Sequence, residues 1–257
     1  MSDFRPAPER HKQILTLLTR RGRLSVAEIV RRFDISEATA RRDLQALATL
    51  GKARRVHGGV MAVEQAPPEL PILERTDEQS AEKGRIGRLA AGLIGDRETV
   101  FLGSGTTVLE LARNLRSRRG LTVITNSLPV LNLLAGNREL TVISLGGMLR
   151  DSELSLIGHI TELGLGEIQA DKAFMGARGI SLEHGLTSDY LQETLTDRLI
   201  LKIARQVFIL ADHTKLNRVS TVRLGGLGGF HTLITDSMAD AKFTRLLRRH
   251  GIQVILA

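Results

Sequence analysis

Apolar positions along this chain change their spacing between residues 60 and 82. Up to Leu50 they recur at helical intervals in three short stretches. Ile14, Leu17 and Leu18 fall at i, i+3, i+4 in a helix of about residues 9 to 20, closed by Arg20, Arg21 and Gly22. Ser25-Val26-Ala27-Glu28 reads as a capping box, and Ile29, Val30 and Phe33 supply the apolar face of a short second helix. Asp34-Ile35 makes a turn, and Ser36 caps a third helix running to about Leu50. Two short helices joined by a tight turn form a helix-turn-helix unit. The basic stretch Lys52 to Val60 follows, and its Gly58-Gly59 pair permits a hairpin, a wing beside the third helix.

Residues 61–80 carry Pro67, Pro68 and Pro71 among polar residues and read as an extended linker. A helix is expected over about Lys83 to Ile94. Short apolar runs then recur at Thr99–Leu102, Leu121–Thr125, Leu140–Leu145, Lys172–Met175, Val207–Ala211, Leu233–Thr235 and Gln253–Leu256, most of them separated by helical spacers. Strands apolar on both faces that alternate with helices predict an α/β domain with a mostly parallel, doubly covered sheet. The expected organisation is therefore a winged helix-turn-helix domain over 1–60, a linker over 61–80 and an α/β domain over 81–257.

Composition narrows the classes. The 257 residues include no Cys, which excludes disulfides, thiolate zinc sites and a Cys nucleophile, and 42% are hydrophobic, enough for a packed core. No signal-peptide core and no run of about 18 apolar residues is present, so a cytoplasmic protein is expected. The formal charge of +8 is uneven: residues 1–60 hold 13 Lys/Arg against 6 Asp/Glu, whereas residues 61–257 hold 23 against 22. A basic excess confined to the helix-turn-helix segment points to a nucleic acid partner.

Rotation by about 100° per residue puts Ala40, Leu44 and Leu47 on the packed side of the third helix. Ala38, Thr39, Arg42 and Gln45 face the other way, with Arg41 on the flank. Arg bridges guanine O6/N7, Gln bridges adenine N6/N7, and Thr bonds phosphate or touches a thymine methyl. On the wing, Arg54, Arg55 and His57 are candidates for phosphate or minor-groove contact.

In parallel sheets, ligands bind beyond the carboxyl ends of strands. The first run is followed by Gly103-Ser104-Gly105-Thr106-Thr107, whose glycines and hydroxyls, ahead of a helix, suit an anion. Other strand ends offer Asn126 and Ser127, Gly146 and Gly147, and Lys215 after Asp212-His213-Thr214. The loop matches neither the nucleotide P-loop nor the dinucleotide fingerprint. The histidines are scattered and no metal-ligand spacing is present, so neither metal nor cofactor is expected.

The segments Ile14-Leu15 to Gly22, Leu24 to Glu28, Ser36 to Leu44 (SEATARRDL), Leu50-Gly51 and Arg55 to Gly59 resemble the DNA-binding domain of the DeoR-type bacterial repressors of sugar catabolism. That resemblance adds Ser36 to the DNA-binding set. Residues 82–236 are similar to the sensor domain of that family through Glu82-Lys83-x-Arg-Ile, Ser104 to Thr107, Thr125 to Ser127, Leu145 to Gly147, Asp171-x-Ala-Phe-Met-Gly176, Gly185 to Thr187, Glu193 and Asp212-x-Thr-Lys215. It implies a fold like sugar-phosphate isomerases and coenzyme A transferases and a phosphorylated sugar-pathway effector. The phosphate would be held by Ser104 to Thr107 and Lys215, with Asp171 and Glu193 in the effector-binding set. Three departures stand out: Ala40 where the family more often has a bulkier aliphatic, Gly103 where it often has Asp, and the glycine run over 225–229. The expected function is a non-enzymatic, homo-oligomeric (dimer or tetramer) repressor of a carbohydrate-catabolism operon, released from operator DNA by a phosphorylated sugar or related metabolite. The alternative is a sugar-phosphate isomerase with an appended nucleic-acid module, for which Asp171, Glu193 and Asp212 are candidate bases.

Overall fold

The structure is a computed structural model that describes residues 6–21, 23–49, 53–56, 58–62 and 71–257. The chain forms two compact units, residues 1–64 and 65–257.

In the smaller unit, α1 (Ala7–Arg21), β1 (Arg23–Ser25), α2 (Val26–Phe33), α3 (Glu37–Thr49), β2 (Ala53–Val56) and β3 (Gly59–Ala62) follow in order. The capping box forms: Glu28 N–H donates to Ser25 Oγ at 3.2 Å, and Ser25 N–H donates to Glu28 Oε2 at 2.7 Å. Asp34 ends α2 in the left-handed region, φ 50°, which reverses the chain into α3. Ser36 Oγ accepts from Thr39 N–H at 3.2 Å and so caps α3. Ile14, Leu18, Ile29, Ala40, Leu44 and Leu47 bury together with Leu24 and Val60. Strands β2 and β3 pair as the expected hairpin, and β1 adds to β3 as a third strand that the hydrophobic pattern is too short to announce. Gly59 permits that addition, since a Cβ there would lie 2.1 Å from Leu24 O.

A second tie was not legible in the pattern. Asp43 on α3 is buried and accepts from Arg10 Nε at 2.6 Å, with His11 Nε2 at 2.9 Å, binding α1 to α3.

The larger unit runs α4 (Ser80–Gly92), β4 (Thr99–Leu102), α5 (Thr106–Arg113), β5 (Thr122–Thr125), α6 (Leu128–Leu134), β6 (Thr141–Ser144), β7 (Met148–Arg150), β8 (Ser155–Ile157) and α7 (His159–Gly166). It continues with β9 (Ala170–Gly176), β10 (Gly179–Ser181), β11 (Gly185–Ser188), α8 (Leu191–Ile200), β12 (Ala204–Leu210), β13 (Val222–Gly225), β14 (Thr232–Thr235), α9 (Ala241–Arg249) and β15 (Gln253–Leu256). The seven expected runs become one parallel sheet of order β15-β14-β12-β9-β4-β5-β6. Period-two alternation divides its side chains between two cores: Phe101, Ala173, Met175 and Ile209 pack with Ile200, Phe243 and Leu247, while Val100, Leu102, Phe174, Phe208 and Leu210 pack with Ile86, Val108, Leu111 and Val130. Phe174 and Phe208 stack with ring centroids 4.8 Å apart. Strand β6 differs from expectation. It is the sheet edge, and Thr141, Ile143 and Ser144 are exposed.

The β7–β8 hairpin and the β10-β11-β13 sheet lie outside the seven runs. The expected 61–80 linker is shorter at both ends: β3 reaches Ala62, and residues 71–79 are turns packed on the larger unit, with Ile72 buried and its N–H donating to Ser152 O at 2.7 Å.

Candidate functional site

Strand order fixes where the larger unit can hold a ligand. From β4 the chain proceeds to β5 and β6 on one side, and from β9 it proceeds to β12, β14 and β15 on the other. The connections leaving adjacent β4 and β9 turn opposite ways and open a crevice beyond their carboxyl ends. A cleft of about 800 Å³, including its open mouth, lies there, lined by Gly103–Thr107 after β4, Met175–Arg178 at the end of β9, and Ala211, Asp212 and Lys215 after β12.

Its floor is the start of α5. Gly105 is the N-cap at φ 111°, and no side chain caps the helix. Thr106 and Thr107 are its first helical residues, so the opening N–H groups and the positive end of the helix dipole face the cleft. Lys215 lines the same cleft, with no hydrogen bond to its Nζ among the described residues. Burial pushes its ammonium below the ordinary lysine range, against the opposing pull of Asp212. Asp212 is itself buried and accepts from Thr214 N–H at 2.9 Å and from the Thr214 hydroxyl.

Carboxylates are held on the other walls. Glu193 pairs with Arg150 and accepts from Ser155 Oγ at 2.8 Å; Arg150 also lies over the Tyr190 ring, 4.4 Å from its centroid. Glu153 pairs with Arg75. The cleft thus combines an amide-rich, cationic floor with fixed acceptors, the donor set for one anionic group and several hydroxyls on the same small molecule.

Of the expected effector residues, Ser104, Gly105, Thr106, Thr107, Glu193 and Lys215 meet in this cleft, and the others do not line it. Asn126 and Ser127 lie one strand away: Asn126 Nδ2 donates to Leu156 O at 3.1 Å, and Ser127 Oγ caps α6 from Val130 N–H at 3.5 Å. Gly146 and Gly147 follow β6, two strands or about 10 Å from β4. Close packing of α7 explains Gly147, because a Cβ would stand 2.1 Å from Thr161 Oγ1, whose hydroxyl donates to Gly146 O at 2.6 Å. Asp171 opens β9 at the opposite rim and accepts from Thr99 N–H at 3.0 Å. Sequence reasoning missed Arg75, Lys83 and Arg178 as lining residues. Arg75 falls in the supposed linker, and Lys83 is buried although a Lys at a helix start reads as solvent-facing.

In the smaller unit, α3 turns Ala38, Arg41, Arg42 and Gln45 outward, with Thr39 half-buried beside them and Ser36 exposed. Arg41 Nε donates to Glu37 Oε1 at 2.9 Å, whereas Arg42 makes no hydrogen bond or ion pair among the described residues. Arg55 on β2 is exposed; the side chain of Arg54 and the whole of His57 lie outside the described residues.

Among the described residues no group of His, Asp or Glu is arranged to hold a metal, and no helix is long and apolar enough to cross a membrane. Comparison with known proteins matches residues 10–66 to the DeoR-like helix-turn-helix domain and residues 78–237 to the DeoR C terminal sensor domain. The chain is 32% identical to the glycerol-3-phosphate regulon repressor of Escherichia coli, covering 96% of this chain and 98% of that one. It is 35% identical to the lactose phosphotransferase system repressor of Streptococcus mutans, covering 93% and 95%, and 30% identical to the transcriptional regulator IolR of Bacillus subtilis, covering 92% and 94%. Ribose 5-phosphate isomerase A of Methanocaldococcus jannaschii aligns with 54% of this chain and 55% of its own, at a TM-score of 0.41 and 20% identity.

Proposed function

The chain belongs to the DeoR family of transcriptional repressors, and from that membership we propose that it represses a carbohydrate-catabolism operon and leaves its operator when a phosphorylated sugar or related metabolite fills the cleft of the larger unit. The observation that carries this reading is the uncapped start of α5 meeting Lys215 at the switch point of the sheet. Ser104–Thr107 and Lys215 hold the phosphate, while Glu193 accepts from sugar hydroxyls. The relatives named for glycerol 3-phosphate and lactose phosphotransferase regulons support this chemical class.

On the DNA side, Thr39, Arg42 and Gln45 read base edges, and Ser36, Arg41, Arg54, Arg55 and His57 contact the backbone, with Ala38 admitting close approach. One winged module reads only a few base pairs, so the working form is a cytoplasmic homo-oligomer on repeated half-sites. Exposed Ile160 and Leu163 on α7 and Leu191 and Leu195 on α8 favour self-association through these two neighbouring helices. Effector and DNA favour different arrangements, so each weakens the other by the same factor. A thermal-shift screen of sugar phosphates, followed by operator release with the strongest hit, tests the reading. A hit that stabilises the protein and releases DNA supports it; no stabilisation by any sugar phosphate refutes the effector class.

A further inference from the structure

Residues 71–79 are the first described stretch of the larger unit, with residues 63–70 between them and Ala62 in sequence. They are also a wall of the cleft, to which Arg75 and Glu78 both contribute. The segment has little structure of its own. Turn bonds such as Glu74 N–H to Pro71 O at 2.9 Å and Arg75 N–H to Ile72 O at 3.3 Å shape it.

Three ties hold it to the unit. Ile72 N–H donates to Ser152 O at 2.7 Å, with its side chain 3% exposed. Arg75 pairs with Glu153, in the turn between β7 and β8. Lys83 Nζ, on α4, donates to Arg75 O at 2.8 Å. The last two ties are made by cleft-lining side chains. An ammonium has three donors, and the bond to the carbonyl uses one, leaving Lys83 able to grip the segment and an anion in the cleft together.

We propose that residues 71–79 are a strap through which cleft occupancy reaches the DNA-binding unit, with Lys83 as the residue that joins an anionic ligand to the strap. This rests on the cleft being the effector site. Without a ligand, burial weighs most against the Lys83 ammonium; Asp212 and Glu78 attract it while Lys215 and Arg75 oppose it, and the balance lies against the charge, so the strap opens more readily than with an anion bound. An anion reached by Lys83 and Lys215 adds attraction at this point and fastens the strap. Only residues 63–70 lie in sequence between Ala62 and the strap, so order gained by the strap is order gained at the covalent tether of the DNA-binding unit.

The absence of Cys makes a direct test possible. In full-length Ile72→Cys the single thiol reacts with an aromatic disulfide reagent only when the strap opens. Inorganic phosphate, at the concentration that saturates the thermal shift, should slow labelling about tenfold. DNA selected by this protein from a random pool should speed it, as reciprocity requires. In Ile72→Cys/Lys83→Met, at phosphate saturating its own thermal shift, labelling should be insensitive to phosphate. Amide exchange of residues 71–79 in the unsubstituted chain gives the same readout if Ile72→Cys loosens the segment. A thermal shift without slower labelling or exchange overturns the strap and leaves the effector site standing. Equal slowing with and without Lys83 overturns the role of that residue, and labelling indifferent to DNA overturns the coupling. No thermal shift with phosphate or with any sugar phosphate overturns both the site and the strap.

Discussion

Replacing Lys215 by Met should move two properties of the protein in opposite directions. The side chain keeps its length and apolar stem and loses only its charge. In the ligand-free protein that charge is a burden, because burial pushes the ammonium below its ordinary value near 10.5, the pull of Asp212 only partly offsets this, and Nζ has no hydrogen bond among the described residues. Asp212, whose charge favours the ammonium, keeps its bonds from Thr214. Lys215→Met should therefore leave the ligand-free protein as stable as before, or up to about 1 kcal/mol more stable. The size of this effect depends on pH. A lysine whose folded value is lowered carries its penalty below that value, and the penalty fades as pH rises from it toward 10.5. Any gain from the substitution should thus shrink in alkaline buffer. Phosphate binding should suffer, since one charge-assisted hydrogen bond contributes about 1.5–3 kcal/mol, a ten- to hundredfold loss of affinity. Calorimetric titration with the sugar phosphate that gives the largest thermal shift measures the second effect, and denaturant unfolding of the free protein the first. Unchanged affinity, or a destabilised free protein, would refute this account of the cleft.

Arg42→Ala should weaken DNA binding by about 1–3 kcal/mol and leave the thermal shift by sugar phosphate intact, read by electrophoretic mobility shift; Arg41→Ala should cost less, as Arg41 is engaged by Glu37. Thr106→Val should do the reverse, losing ligand response in the thermal-shift assay while keeping DNA. Gly59→Ala should displace β1 from β3 through the clash with Leu24 O, lowering DNA affinity and destabilising residues 1–64 by about 2 kcal/mol or more, read by amide exchange in α3. Burial is the largest influence on Asp43 and raises its pKa, but the bonds from Arg10 and His11 together hold it below its ordinary value. Its stabilisation is then present above about pH 4 and lost as pH falls through the depressed value, and Arg10→Met should bring acid unfolding of the smaller unit to higher pH, read by amide exchange across a pH series.

Local chemistry made most of the fold legible. The capping box at Ser25–Glu28, the Ser36 cap and the glycine-led hairpin are each specified within a few residues, and the apolar runs located all seven strands of the large sheet. Strand order was not legible, because periodicity reports burial and says nothing about neighbours. That is why Ser104–Thr107 and Lys215 converge while Gly146 and Gly147, at an equally suggestive strand end, sit two strands away. Asp171 is a different case: it directly precedes the run Lys172–Met175 and so lies at the amino end of its strand, at the rim opposite the cleft, and only the family resemblance places it in the effector set. Arg75 and Lys83 were hidden for another reason. Prolines mark extended chain whether or not it packs, and the burial of Ile72 and Lys83 follows from contacts with the β7–β8 turn and with Arg75 O, far from them or unreadable by spacing.

Fluorescence anisotropy of a labelled operator fragment, titrated with the full-length protein with and without the stabilising sugar phosphate, tests the central claim most directly. The effector should raise the apparent dissociation constant at least about tenfold, and operator should weaken effector binding by the same factor. Operator affinity that is unchanged at effector concentrations saturating the thermal shift would contradict the account.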